Sequence, residues 1–292
     1  MKSKLLLIAV SILASCSGNK NVSDAYGNFE ATEVNVSSEL NGKIVGLNFT
    51  EGQLLDSGIV SVKIDSSDWV LKRDQLKAQK EIISSKYSNI SAQVEVQQQQ
   101  LTNLQIEKNR LDKMLKDGAA TTKQLDDIKA SLNVIERQIN SIQTQGISIP
   151  AELESINKQM LQMELAINRC NIRNPIKGIV LNKFAEQSEI AMPGKALYKI
   201  ADLNNMYIRV YVAETQLSEI KIGQKVEVLI DQGKKDFKKY EGSISWISST
   251  AEFTPKIIQT KEERVNLVYA VKVLVRNDGY LKIGMPGEVN FK

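Results

Sequence analysis

A heptad seam runs through the middle of this chain and constrains its fold more than any other feature. From Leu76 the steps alternate four and three through Lys80, Ile83, Tyr87, Ile90, Val94, Gln97, Leu101, Leu104, Lys108, Leu111 and Leu115. Apolar groups return every 3.5 residues on average, broken only by Lys80, Gln97 and Lys108. No Pro or Gly interrupts the run, so about 47 residues form a helix roughly 70 Å long. Lys116-Asp117-Gly118-Ala119-Ala120-Thr121-Thr122 follows. Gly118 can take the left-handed conformation that ends a helix. Thr121 or Thr122 can cap the next one, with Gln124 or Leu125 inside its first turn. So short a link turns the second helix back along the first.

The returning seam is cleaner: Leu125, Ile128, Leu132, Ile135, Ile139, Ile142, Gly146, Ile149, Leu153, Ile156, Met160, Met163, Ile167 and Cys170. Its register passes Gly146 and Pro150 without a skip. A local kink or short break is expected there, flanked by helix, with the residue before Pro150 leaving the helical region. Cys170 lies on the seam and reads as a small buried hydrophobe, its thiol inert because burial raises its pKa. Composition agrees with a rod: Tyr87 is the only aromatic residue between Val70 and Asn171. Reach is the use of such a hairpin, and its tip is the natural contact point.

The flanks are β-like. Asn41-Gly42-Lys43-Ile44-Val45, Phe49-Thr50-Glu51-Gly52, Gly58 and Val62-Lys63-Ile64-Asp65 precede the hairpin. Lys177-Gly178-Ile179-Val180, Phe184-Ala185-Glu186, Pro193-Gly194 and Tyr198-Lys199-Ile200-Ala201-Asp202 follow it. The two stretches form a weak repeat, with Phe49 and Phe184 matched and Ser188 where a turn glycine is expected. Neither half can bury its face alone, so the two close on each other. Beyond Leu203, alternation over 206–212, 225–230, 242–247 and 268–275 reads as a small antiparallel barrel, with one short helix over 214–220 ending before Gly223.

The fold class is thus α+β: a long antiparallel coiled-coil hairpin inserted in a split β module, then a small β-barrel and a membrane-proximal β region. The expected boundaries are 1–15 signal, 16–28 anchor and linker, 29–66 first half, 67–171 hairpin with its tip at 110–126, 172–202 second half, 203–250 barrel, and 251–292 barrel end and membrane-proximal region.

Residues 1–15 read as a secretory signal, with Lys2 and Lys4 before an apolar run over 5–13 too short to span a bilayer. The run ends in Leu13-Ala14-Ser15-Cys16, which resembles the lipobox of bacterial lipoproteins. The resemblance implies acylation of Cys16; the alternative is an incidental cysteine beside an ordinary cleavage site. Residues 19–28 are small and polar, a flexible tether. With Cys16 acylated, Cys170 is the one remaining thiol, and no intramolecular disulfide can form.

Histidine is absent, which removes the commonest general base and metal ligand. There is no Ser-His or Cys-His pair, no Walker-type phosphate loop and no convincing cluster of acids. No catalytic residue, metal or enzymatic activity is expected. The 38 basic residues against 34 acidic ones, or 36 against 34 without Lys2 and Lys4, give no reason to expect nucleic acid.

The paired flanks resemble the lipoyl/biotinyl carrier fold split in two. In true carriers a lysine on the turn between halves holds the cofactor; here the coiled coil replaces that turn, so neither lipoate nor biotin is expected. The order of signal and lipobox, half-lipoyl, hairpin, half-lipoyl and barrel resembles the periplasmic adaptor (membrane-fusion, haemolysin-D-like) family over nearly the whole mature chain. Ile172-Arg173-Asn174-Pro175-Ile176-Lys177-Gly178 looks like that family's "I-R-A-P-x-x-G" return, and Lys282-Ile283-Gly284-Met285-Pro286-Gly287 like its closing "L-x-x-G-M-P" turn. Thr250-Ala251-Glu252-Phe253-Thr254-Pro255-Lys256, with Gln259-Thr260-Lys261-Glu262-Glu263-Arg264 and Leu267-Val268-Tyr269, looks like the signature of adaptors that partner ABC-type exporters.

What the resemblance implies is a non-catalytic adaptor, lipid-anchored in the periplasm to the inner membrane, with the outer membrane left open by Ser17 after the cysteine. Its partners would be an ABC-type inner-membrane transporter and a TolC-like outer-membrane duct, with self-association commonly as six copies. Members that dock on such a duct carry an Arg, a Leu four residues on and a Ser seven further. Arg110, Met114 and Thr121 stand there, beside Gly118; Arg110 also reads simply as an exposed arginine on a solvated helix face. Glu252, Phe253, Thr254, Pro255 and Lys256 are the candidates for facing the transporter. Two alternatives stay open: an adaptor for a proton-driven exporter, and a coiled-coil lipoprotein that only tethers the envelope.

Overall fold

The computed structural model describes residues 23–233, 236–253 and 267–291. The signal (1–15) and Cys16 lie outside the described residues.

The hairpin consists of three helices: α1 (Ser67–Lys116), α2 (Thr122–Gly146) and α3 (Ile149–Arg169). On the returning helices every seam position is buried or half-buried, whereas, Ala166 apart, their other residues from Thr121 to Arg169 are exposed. That contrast is what a two-helix rod must show, since the facing helix is the only cover available. Leu101, Leu132 and Ile139 form its buried centre, with Val94, Leu104, Ile128 and Ile135 packed against them. Tyr87 is the seam position that stays open, at 44% exposure. It faces Gly146, which has no side chain to cover it.

The break falls where Gly146 and Pro150 predict it, and helix continues on both sides. The expectation that Ile149 would leave the helical region is overturned. Ile149 opens α3, 1% exposed, with Pro150 in the first turn. There the missing N–H would have had no helical partner, so proline costs little.

The split module carries β2 (Gly42–Leu47), β3 (Leu54–Leu55) and β4 (Val60–Ile64) before the hairpin, and β5 (Asn171–Arg173), β6 (Gly178–Lys183) and β7 (Ile190–Ala191) after it. Its halves exchange strands: β2 pairs with β7, β3 with β6 and β4 with β5. The crossings obey a pseudo-two-fold. Ile44 N donates to Glu189 O and Ser188 N to Ile44 O, as Val180 N donates to Gln53 O and Gly52 N to Val180 O, all within 2.8–3.0 Å. Gly52 and Ser188 are therefore equivalent, at φ 81° and 77°. Ser188 is the one non-glycine residue at positive φ among the described residues. This register corrects the sequence repeat by one residue: the partner of Phe49 is Ala185, buried like Phe49, and not Phe184, which is 46% exposed. Phe49 packs instead against Tyr198, ring centroids 4.5 Å apart and planes tilted by 48°.

A buried polar knot joins the halves. Asn174 Nδ2 donates to the carbonyls of Asp56 (3.0 Å) and Ile176 (2.6 Å). The Tyr198 hydroxyl donates to Asn174 Oδ1 (3.1 Å) and lies 2.9 Å from Ser61 Oγ. Burial pushes the Tyr198 phenol above its ordinary pKa, so it stays a donor. Cys170, 1% exposed beside this core, has its thiol pushed up by burial and secondarily by Asp65.

Two long strands, β1 (Ala25–Ser37) and β8 (Ala196–Ala213), pair along their length and run from this module into the barrel. β1 begins at Ala25, which overturns the expected tether through Asn28: Phe29 is 1% exposed and closes the barrel core. A register shift between Ala31 and Thr32, opposite Met206 and Asp202, marks the passage. After β8, a 3-10 helix (Glu214–Glu219) leads to β9 (Lys225–Gln232), β10 (Asp236–Ile247), β11 (Glu252–Phe253), β12 (Leu267–Arg276) and β13 (Pro286–Asn290).

The order β12-β10-β9-β13-β1-β8, closed by β8 on β12, is a six-stranded antiparallel barrel. It therefore extends beyond 203–250, taking one stave from before the hairpin. Closure requires glycine at the crowded staves. A Cβ at Gly27 would stand 1.8 Å from the Arg209 carbonyl oxygen.

Two substitutions test this account. Ser188→Gly relieves a left-handed L-residue and should raise stability by about 0.5–1 kcal/mol in denaturant titration. Asn174→Ala strips two part-buried carbonyls and the buried Tyr198 hydroxyl of a partner and should lower it by about 2 kcal/mol.

Candidate functional site

The tip is built by two caps meeting in five residues. At the end of α1, Gly118 takes φ 74°. Its N–H reaches Leu115 O at 3.1 Å, and Ala119 N reaches Met114 O at 2.8 Å. That pair of bonds is a Schellman closure, which ends a helix sharply and satisfies its last carbonyls. Met114 stands at the position whose side chain packs under the turn, and it is half-buried.

Thr121 then caps α2. Gln124 N donates to Thr121 Oγ1 (3.3 Å), and Thr121 N donates to Gln124 Oε1 (2.8 Å). This reciprocal capping box selects Thr121 over Thr122. The Thr121 hydroxyl also donates to Gln124 Oε1 at 3.0 Å, so it has a structural task in addition to any docking role.

Arg110 is free to act outward. Its side chain is 71% exposed, and its one ion pair is a loose 3.8 Å contact with Glu107. Lys108 differs: it is drawn to Asp112 at 3.0 Å and stays on the seam. Met114, Gly118 and Thr121 thus lie within one turn of the chain reversal, and Arg110 stands about two turns before it on α1. The residue that sequence reading underweighted is Gln124, whose spacing from Thr121 is the capping-box signal.

The opposite end of the molecule is the barrel mouth remote from the hairpin. The ends of β8, β10 and β13 and the starts of β1, β9 and β12 converge there. Glu252 sits there on β11, its carboxylate held by Arg209 Nη2 at 2.8 and 2.9 Å. Phe253 pairs through its backbone with Leu267. Thr254, Pro255 and Lys256 lie outside the described residues. The chain enters at the same mouth and is pinned at once: Ser23 Oγ donates to Glu288 (2.6 Å), Phe291 N to the Asp24 carboxylate (2.9 Å) and Gln216 Nε2 to Asp24 O (2.9 Å). Ser23, seven residues after Cys16 in the sequence, and Glu252 therefore share one mouth, and the tip candidates stand at the other extremity. Among the described residues there is no group of three metal-ligating side chains, and no helix long and apolar enough to cross a membrane.

No protein-family model matches the chain. Curated relatives are "UPF0194 membrane proteins". Those of Yersinia enterocolitica and Citrobacter koseri are both 26% identical, over 293 and 295 residues, covering 91% of this chain and 88% and 87% of their own. Among solved structures, MacA from Actinobacillus actinomycetemcomitans matches with a TM-score of 0.55 at 20% identity, over 92% of this chain and 78% of that one. A MacA-MexA chimeric protein with the Pseudomonas aeruginosa MexA alpha-hairpin domain matches with a TM-score of 0.54 at 19% identity, over 93% and 80%. The likeness spans hairpin, split module and barrel together.

Removing half of the tip's capping box tests its geometry. Gln124→Ala should cost α2 about 1 kcal/mol. Amide exchange in the first turn of α2 should quicken by about fivefold, while Thr121→Ser leaves it unchanged.

Proposed function

We propose that this chain, whose fold is that of the periplasmic adaptor (membrane-fusion) proteins, works as such an adaptor: a passive, non-catalytic link between an inner-membrane transporter and an outer-membrane duct. The observation that carries the reading is the separation of its candidate contacts. One extremity is a capped helical tip presenting Arg110. The other is a barrel mouth where the chain's N-terminal segment enters and Glu252 sits.

The finer assignments follow the sequence signatures. Cys16 carries the lipid and holds the protein in the periplasm at the inner membrane. The transporter is of the ABC type, since residues 250–256 and 259–264 look like the matching adaptors. The duct is TolC-like, with Arg110 offering its forked donors to carbonyls or carboxylates on the duct helices. Copies assemble as a ring, six in number, with their hairpins side by side, and neither lipoate nor biotin is attached.

Each step has a consequence. Arg110→Glu reverses an exposed charge and touches neither cap. It should leave the unfolding temperature unchanged while lowering both export and site-specific cross-linking to the duct at least tenfold. Unchanged export in this variant and in a deletion of 116–122 would remove the docking role. Copurification after cross-linking should recover a permease with an ATPase. A proton-driven transporter in its place would select the alternative exporter class, and no transporter at all would favour an envelope tether.

A further inference from the structure

The pinned N-terminus fixes how far the barrel can stand from a bilayer. From Cys16 to Ser23 the chain advances about seven residues, roughly 25 Å if fully extended and about 15 Å as a flexible coil. No slack follows, because Ser23 and Asp24 are bonded to Glu288, Phe291 and Gln216. The same mouth holds the turn between the 3-10 helix and β9, residues 221–224. Ile222 at its tip is 69% exposed, while Ile220 just before it is 4% exposed and packs into the barrel core.

This is a stiff turn. Gly223 takes φ 88°. Gly223 N donates to Ile244 O (2.8 Å) and Ile244 N to Gln224 O (2.9 Å). The Gln224 amide accepts from Lys221 N (2.9 Å) and donates to Phe291 O (2.8 Å). A rigid turn that holds a large aliphatic side chain out in water fits a surface able to receive it. Lys221 beside it makes no ion pair among the described residues, and its stem can lie along apolar surface with the ammonium in the headgroups.

We propose that this barrel mouth rests on the lipid surface, with Ile222 entering the boundary between headgroups and acyl chains. The proposal rests on the reading of Cys16 as the lipid anchor, which delivers the mouth to the bilayer. Lipid is favoured over a protein groove as the occupant because the short tether holds the mouth at the membrane in every copy. Glu214 and Glu219 stand on the same mouth as Lys221, so the contact is apolar insertion and needs no anionic lipid.

The test uses the full acylated protein in phosphatidylcholine vesicles, with acylation of Cys16 verified by mass spectrometry. An environment-sensitive fluorophore is placed at Ile222→Cys or, on the hairpin-side mouth, at Lys282→Cys. Cys170 is buried and its thiol is held protonated, so it does not compete for the label. The label at 222 should shift to the blue and be quenched by lipids brominated near the headgroup at least threefold more strongly than the label at 282. Adding anionic lipid should change neither. Equal quenching at the two positions in acylated, vesicle-bound protein would overturn the contact and leave the anchor standing, with solvent or a transporter surface at Ile222 instead. An unmodified Cys16 would overturn anchor and contact together.

Discussion

The exchange of strands between the two halves of the split module is the constraint on which the rest depends. β2 reaches β7 and β3 reaches β6 across an insertion of more than a hundred residues, and neither half has a core without the other. Closing so long a loop carries an entropic cost, but one that grows only slowly with length. The insertion lowers that cost further because it is itself a hairpin whose ends return to the same place. The rod brings its own base together, and the base in turn holds the rod's two strands of chain in register.

Much of this was legible in the sequence because the rod has only one place to hide apolar groups. In a two-helix hairpin the seam is the whole core, so periodicity located α1 and the returning helix through Cys170, with Gly118 and the threonines after it marking the reversal. The half-repeat was legible for the same reason, yet its register slipped by one at Phe184. Residue type pairs phenylalanine with phenylalanine, whereas the backbone matches Phe49 to Ala185 and lets Tyr198 take up the missing volume. The start of β1 was missed because Ala25, Tyr26 and Asn28 look like linker. Gly27 is in fact the tight-packing position where a stave passes the Arg209 carbonyl. At Ile149 the steric bias against helix before proline is outweighed, because Pro150 in the first turn of α3 costs that helix no hydrogen bond.

The candidate contacts were less legible than the fold. Thr121 could be singled out by resemblance and, beside Thr122, as a possible cap; the geometry selects it as the cap of α2. Glu252 likewise proves to be clasped by Arg209, an interaction between strands far apart in sequence that no local pattern announces. Charge placed on a rod or barrel exterior has no periodic signature, since solvent tolerates it anywhere. Only coordinates separate Arg110, loosely attended, from Lys108, drawn in to Asp112.

The continuity of β1 and β8 through two modules has a mechanical consequence. A pull on the hairpin away from the barrel travels along these two strands, parallel to their length. Their ladder bonds to each other, to β13 and to β12 lie across that direction. Such a load shears many bonds at once and cannot unzip them singly. The join yields little in tension yet can still twist at the bulge between Ala31 and Thr32. It behaves as a strap that transmits traction and forgives rotation.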